Sequence, residues 1–243
     1  MNHQPLIKLL TASGSGSRRK MTDAIKRGRV AVNGKVVDSF LQPIKVGTDN
    51  VTIDGKSIAY RPEKMTYLML NKPKGIISTT NDERGGKTVI DILPQKYQHT
   101  RLYPVGRLDK ESTGLVLLSN DGDFTYHLTH PKFEREKEYL VQVDGNLTTK
   151  EKIQLEKGLD LEDVKTSTAR VKVVKSPPYN YSITLHEGKK RQVRRMFASL
   201  GYQVLELKRI RIDVLTIDGL SAGDTRELTP KEIQSLKRNN LYS

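Results

Sequence analysis

Three short stretches of the 243-residue chain carry side chains able to do chemistry. The first is Gly106-Arg107-Leu108-Asp109-Lys110-Glu111-Ser112-Thr113-Gly114, which runs straight into the apolar Leu115-Val116-Leu117-Leu118. That order puts Asp109 in a polar loop hard against a buried strand, with Arg107 and Lys110 beside it. A carboxylate shielded from water yet kept ionised by cations is a suitable nucleophile. The same Asp serves equally well as a plain turn residue. The second stretch is Glu187-Gly188-Lys189-Lys190-Arg191-Gln192-Val193-Arg194-Arg195-Met196-Phe197. At about 100° per residue, Val193, Met196, Phe197 and Leu200 form one helical stripe that faces a core. Arg194 falls at the margin of that stripe, where its planar fork can reach a half-buried carboxylate. Arg191 and Arg195 point outward, a placement that suits phosphates. A structural Arg on a helix flank gives the same pattern. The third is Tyr139, which alternates with Val141 and Val143, so a core-facing ring is its default. Beside a nucleic acid such a ring can stack on an extruded base and present its hydroxyl to it.

Other arrangements lack the geometry of a site. His127-x-x-His130 is half a metal site without a third ligand, and Pro131 ends the helix there, so no metal is expected. Asp82, Glu83, Asp121 and Asp123 form no defined carboxylate pair, which leaves a glycosidase reading unsupported. Gly85-Gly86 has no strand-to-helix setting of the kind that cradles phosphate.

The charge narrows the partner. There are 42 Lys and Arg against 28 Asp and Glu, a net +14, and a surplus of that size points to a polyanion, most often nucleic acid. It is unevenly spread: residues 1–62 hold 11 Lys and Arg against 4 Asp, so half the surplus sits on a quarter of the chain. The absence of Cys excludes disulfide scaffolds, thiolate metal sites and cysteine nucleophiles. The longest apolar runs are far below the ~20 residues of a membrane span, and the N-terminus lacks a signal-peptide core. A soluble, cytoplasmic protein is expected.

The elements that must carry these residues are legible in part. Leu6, Ile7, Leu9 and Leu10 suggest a short helix. Ser17 is a good N-cap for a second, stopped by Gly28. Arg18, Arg19, Lys20 and Arg29 cluster on and around it. Val30 to Val37, folded about Asn33-Gly34, reads as a hairpin with a type I′ turn. The Pro62 region separates this module from the rest, so domains are placed at 1–62 and 63–243. In the second, strands are expected near 67–70, 115–119, 138–143, 168–175, 181–186 and 203–212. Helices are expected near 123–129, 149–157 and 190–200, and after the Thr229-Pro230-Lys231-Glu232 capping box. Many strands with few helices argue for an α+β fold with a mostly antiparallel sheet.

At this point the motifs, taken in order, show a resemblance. The Lys72-Pro73-Lys74-Gly75 turn, Gly106-Arg107-Leu108-Asp109 running into Thr113-Gly114-Leu115, Glu138-Tyr139, and Glu187-Gly188…Arg191-Gln192-Val193-Arg194-Arg195-Met196 resemble the RsuA-type ribosomal RNA pseudouridine synthases. Residues Gly16-Ser17-Arg18-Arg19…Gly28-Arg29-Val30-Ala31-Val32-Asn33-Gly34 resemble the small RNA-binding domain shared with the fourth small-subunit ribosomal protein. Together they cover essentially the whole chain. The resemblance implies isomerisation of a uridine within RNA, with Asp109 as catalytic nucleophile, Tyr139 packed on the base and Arg194 paired with Asp109. It implies RNA contacts from Arg18, Arg19, Lys20, Arg29, Lys72, Lys74, Arg107, Arg191 and Arg195. It implies no cofactor, since the reaction needs neither redox change nor group donor. The implied partner is ribosomal RNA or an assembling ribosomal particle, met by a monomer. Residues Ser78 to Val89 and Leu102-Tyr103-Pro104-Val105 resemble the large-subunit, RluB-like branch. A small-subunit uridine, or a non-catalytic RNA-binding factor, are the alternatives. Lys110 departs from the aromatic or acidic residue that many members carry there.

Overall fold

The computed structural model describes residues 3–58 and 64–238. The chain divides into two compact units, Met1–Lys64 and Met65–Ser243. The boundary expected between residues 62 and 63 falls outside the described residues.

The first unit contains β1 (His3–Pro5), α1 (Leu6–Ala12), α2 (Arg18–Lys26), β2 (Val30–Val32), β3 (Lys35–Val36), β4 (Pro43–Lys45), β5 (Val51–Ile53) and β6 (Lys56–Ser57). Ser17 caps α2, its hydroxyl accepting from Lys20 N at 3.2 Å. Asn33 and Gly34 both take positive φ, 51° and 80°, as the turn between β2 and β3 requires. Leu6, Ile7, Leu9 and Leu10 of α1 pack on Met21, Ala24 and Ile25 of α2 and on Val30, Val32 and Ile44. With its apolar face so buried, α2 leaves Arg18, Arg19 and Lys20 exposed.

The second unit is built on one large sheet. In chain order its elements are β7 (Tyr67–Lys72), β8 (Tyr103–Val105), β9 (Thr113–Ser119), α3 (Gly122–Thr129), β10 (Lys137–Val143), α4 (Thr149–Lys157), β11 (Asp160–Leu161), β12 (Val164–Lys165), β13 (Arg170–Ser176), β14 (Tyr179–Leu185), α5 (Gln192–Ala198), β15 (Val204–Ile212), β16 (Leu215–Thr216), β17 (Thr225–Glu227) and α6 (Pro230–Lys237). The strand order is β13-β14-β10-β15-β9-β7-β17, with β8 on β9 and β16 on β15. Every pairing in this sheet is antiparallel except β15 with β9, which touch in parallel at Lys208–Thr113 and Arg209–Gly114. Gly114 permits that join. A Cβ there would lie 2.2 Å from the Arg209 carbonyl oxygen, so no other residue admits β15 this close. The expected capping box forms at Thr229 with Glu232, and the structure adds a second at Thr148 with Glu151. The helix expected from 190 starts later, at Gln192, because Arg191 sits in the left-handed region at φ 51°.

Candidate active site

Asp109 lies on the loop from β8 to β9, and that loop is fastened at several points. The Ser78 hydroxyl donates to Leu108 O at 3.0 Å and accepts from Leu108 N at 3.2 Å. Ser112 N donates to Asp109 O at 3.0 Å, and Gly75 N to Lys110 O at 2.9 Å. Leu108 is buried and joins the core around Tyr139 and Val193. Asp109 itself is half-buried between exposed Arg107 and Lys110.

Lys72 completes the fastening, and the expectation that it binds RNA is corrected here. It is 0% exposed. Its Nζ donates to Ile76 O at 2.8 Å, Pro73 O at 3.0 Å and Lys110 O at 3.3 Å, tying its own turn to the Asp109 loop. The strand carrying it is covered on both faces, so its terminal Lys is drawn inside with Leu68, Met69 and Leu70. Burial lowers its pKa to about 8, against the pull of Glu111 and Asp109.

Tyr139 of β10 is 8% exposed and faces the same core as Val141 and Val143. On its flanks in the sheet are Ile183 of β14 and Arg209 of β15. The turn before α5 is braced by Glu187, whose carboxylate accepts from Ser167 N at 2.8 Å and Gln192 Nε2 at 2.5 Å. Gln192 Oε1 in turn accepts from Lys189 N at 3.0 Å. This half-buried brace fixes the turn that carries Arg191.

These pieces wall one cleft of about 590 Å³, within the range of about 300–1,000 Å³ typical of small-ligand sites. Asp109, Ser112, Tyr139, Arg107, Arg191, Leu207 and Arg209 are on its lining. Arg194 is not on that lining. Its Nη1 donates to Val204 O at 2.8 Å, and its Nε is buried without a partner. Burial pushes its pKa down and Arg191 adds to that, while Asp109 is the strongest anion acting the other way. Arg194 is therefore within the field of Asp109, but among the described residues no ion pair joins them. The expected bonded pair is corrected to this looser relation, because Nη1 is directed to the start of β15.

The remaining expected RNA contacts divide by partner. Arg29 pairs with Asp54, Nε to Oδ1 at 2.7 Å, Lys74 with Glu206 at 3.0 Å, and Arg195 with Asp163. Arg18, Arg19, Lys20, Arg107 and Arg191 are exposed, with no ion-pair partner among the described residues.

Residues 66–199 match the family model described as RNA pseudouridylate synthase. The chain belongs to that family. Residues 4–48 match the S4 domain, so the synthase carries this RNA-binding module at its N-terminal end. It is 42% identical over 238 residues to the ribosomal large subunit pseudouridine synthase B of Bacillus subtilis, covering 96% of this chain and 95% of that one. It is 37% identical over 232 residues to the dual-specificity RNA pseudouridine synthase RluF of Escherichia coli, covering 95% and 77%. A crystal structure of a pseudouridylate synthase superposes with a TM-score of 0.69 at 32% identity, covering 96% of this chain and 99% of that one. The enzyme class is that of an isomerase acting on RNA.

The synthase cleft also holds residues that motif spacing did not single out. Ser112 is buried with an unpartnered hydroxyl. Lys137, at the start of β10, donates from Nζ to Arg135 O at 2.9 Å, and burial, seconded by Arg209, lowers its pKa to about 8. The unfolded chain holds that proton to about 10.5. Between those values the unfolded state binds more protons, so this amine makes stability rise as pH climbs from about 8 to 10.5. Thermal melting across that range is expected to show a smaller gain for Lys137→Met than for wild type. Parallel curves would contradict the assignment.

Proposed function

We propose that this synthase converts a uridine of large-subunit ribosomal RNA to pseudouridine, with Asp109 as nucleophile on a base extruded from its helix. The supporting observation is the single cleft that brings the Asp109 carboxylate and the Tyr139 ring together beneath a rim of exposed cations. The target atoms are inaccessible in a stacked helix, so the nucleotide must leave the stack, at a cost of a few kcal/mol offset by pocket contacts. Arg107 and Arg191 at the rim meet phosphates. A carboxylate oxygen of Asp109 adds to the nucleotide and the C1′–N1 bond breaks. The detached uracil turns on the Tyr139 ring, C5 bonds to C1′, the bond to Asp109 breaks and returns its electron pair to the carboxylate, and the C5 proton is lost with help from the Tyr139 hydroxyl. Arg194 stands close enough for the Asp109 charge to act on its guanidinium. No redox partner or group donor enters this scheme. The large-subunit assignment rests on the likeness to the Bacillus subtilis enzyme, and a cytoplasmic monomer acting on ribosomal RNA or an assembling particle fits it.

The test is tritium release from ribosomal RNA transcripts carrying 5-tritiated uridine. Release from the large-subunit transcript is expected. RNA binding without release from either subunit's RNA would leave a non-catalytic clamp, and release from small-subunit RNA alone would move the target. Mapping pseudouridines in cells with and without the gene then names the position.

The S4 domain supplies sequence-tolerant affinity through exposed Arg18 and Arg19. Replacing both by Ala is expected to weaken binding at low salt and flatten the log–log salt slope by roughly 1.5 to 2. An unaltered slope would remove them from the interface.

A further inference from the structure

Two arginines line the cleft from inside the fold, and they are used differently. Arg135, 3% exposed, is fully committed: Nη1 pairs with Asp213 at 2.9 Å, Nη2 donates to Leu236 O at 2.9 Å, and Nε to His127 O at 3.1 Å. Arg209, also 3% exposed, is not. Its Nε donates to Leu115 O at 2.7 Å, but its Nη2 is buried with no partner, and no carboxylate pairs with it among the described residues. Buried donors are almost always satisfied, and a buried cation without an anion is rarer still. The position is also held with care. Gly114 lets the Arg209 backbone approach β9 immediately after the Asp109 loop. The guanidinium carbon sits 6.0 Å from the centre of the Tyr139 ring.

We propose that Arg209 is a further catalytic residue: a free Nη–H donates to a carbonyl oxygen of the extruded uracil and stabilises the negative charge that the base gains during the reaction. This rests on the pseudouridine synthase reading above. The charge arises by either route of attack. If an Asp109 oxygen bonds to C1′, the C1′–N1 bond breaks and its electron pair stays on the uracil, spread over N1, O2 and O4. If it bonds to C6, the C5=C6 pair moves toward C5 and O4. When C5 later bonds to C1′, the C1′–N1 bond having broken on either route, the charge is returned, the Asp109–carbon bond breaks with its pair going back to the carboxylate, and the C5 proton is released to a base. A donor fixed in advance where charge develops lowers the barrier without reorganising. A phosphate is the less fitting ligand. It stays with the RNA backbone at the rim, where Arg107 and Lys190 are exposed, whereas Arg209 lies deep beside the ring on which the base rests.

The experiment is single-turnover conversion of large-subunit transcripts at saturating enzyme, with RNA affinity measured in parallel. Arg209→Met is expected to lower the rate by about 100-fold, the scale of losing one charge-stabilising donor, with affinity changed by less than about threefold. A second transcript carries 5-fluorouridine, read by nuclease digestion and mass spectrometry of the rearranged nucleoside. Fluorine stabilises the uracil anion by itself, so the deficit of Arg209→Met shrinks to about tenfold or less there. A strut with no contact to the base would give equal deficits on both transcripts. Arg209→Lys, which keeps the charge and much of the packing, carries the same comparison should the Met variant fail to fold. Equal deficits, or a rate within about threefold of wild type, overturn the proposal and leave the synthase reading intact. A wild type that converts neither transcript sinks the synthase reading itself.

Discussion

In the Asp109→Asn variant, tritium release from uridine-labelled RNA is expected to fall by at least about 10⁴-fold, the scale on which removing a nucleophile acts, while RNA affinity is expected to stay within about threefold. The split follows from where the side chain sits. Asp109 is half-buried at the tip of a loop held through Ser78, Gly75 and Lys72, none of which bonds to its carboxylate. The amide is isosteric, so the loop keeps its path. On the proposed function, RNA affinity comes instead from exposed cations at the rim and on the S4 domain. Asn cannot supply the oxygen anion that adds to the nucleotide, and neighbouring charge cannot compensate. Single-turnover assays at saturating enzyme, with filter binding on the same RNA, check both halves. Turnover within tenfold of wild type would mean that Asp109 is not the nucleophile, and a large loss of affinity would mean that it mainly binds.

The features legible in the sequence were those fixed by local chemistry. Ser17, Asn33-Gly34 and Thr229 announce caps and turns whose hydrogen bonds close within a few residues. The stripe of Val193, Met196 and Phe197 likewise gave the buried face of α5. What was hidden depends on segments far apart in the chain. Nothing near Arg209 announces that β15 will run parallel to β9, across more than ninety residues, and carry that guanidinium beside Tyr139. Helical periodicity takes in Arg191, but the residue has a left-handed φ next to the Glu187–Gln192 brace. Lys72 was misread for another reason. A Lys in a turn motif is assumed to face solvent, yet Leu68-Met69-Leu70 without alternation already signals a strand covered on both faces. The location of the cleft was therefore readable, and the direction of its cations was not.

That misreading yields a second large effect. Lys72→Met is expected to lower the single-turnover rate by about 100-fold while leaving RNA affinity and its salt slope unchanged. The Met side chain fills most of the same volume, but the carbonyls of Pro73, Ile76 and Lys110 lose their shared donor. Net stability changes by about 2 kcal/mol or less, because losing those hydrogen bonds is offset by no longer burying a cation. The burial cost is evident in the fall of the amine pKa to about 8. Catalysis has no such compensation. Lys110 directly follows Asp109, so freeing its carbonyl lets the carboxylate drift, and a misplacement of about 1 Å costs about 10²-fold in rate. A phosphate contact would behave in the opposite way, with weaker binding, a salt slope reduced by roughly 0.7 to 0.9 and an intact rate at saturation. Measuring rate and salt-dependent affinity on the same variant decides between the two. A lost slope with preserved turnover would return Lys72 to the RNA interface, against its complete burial.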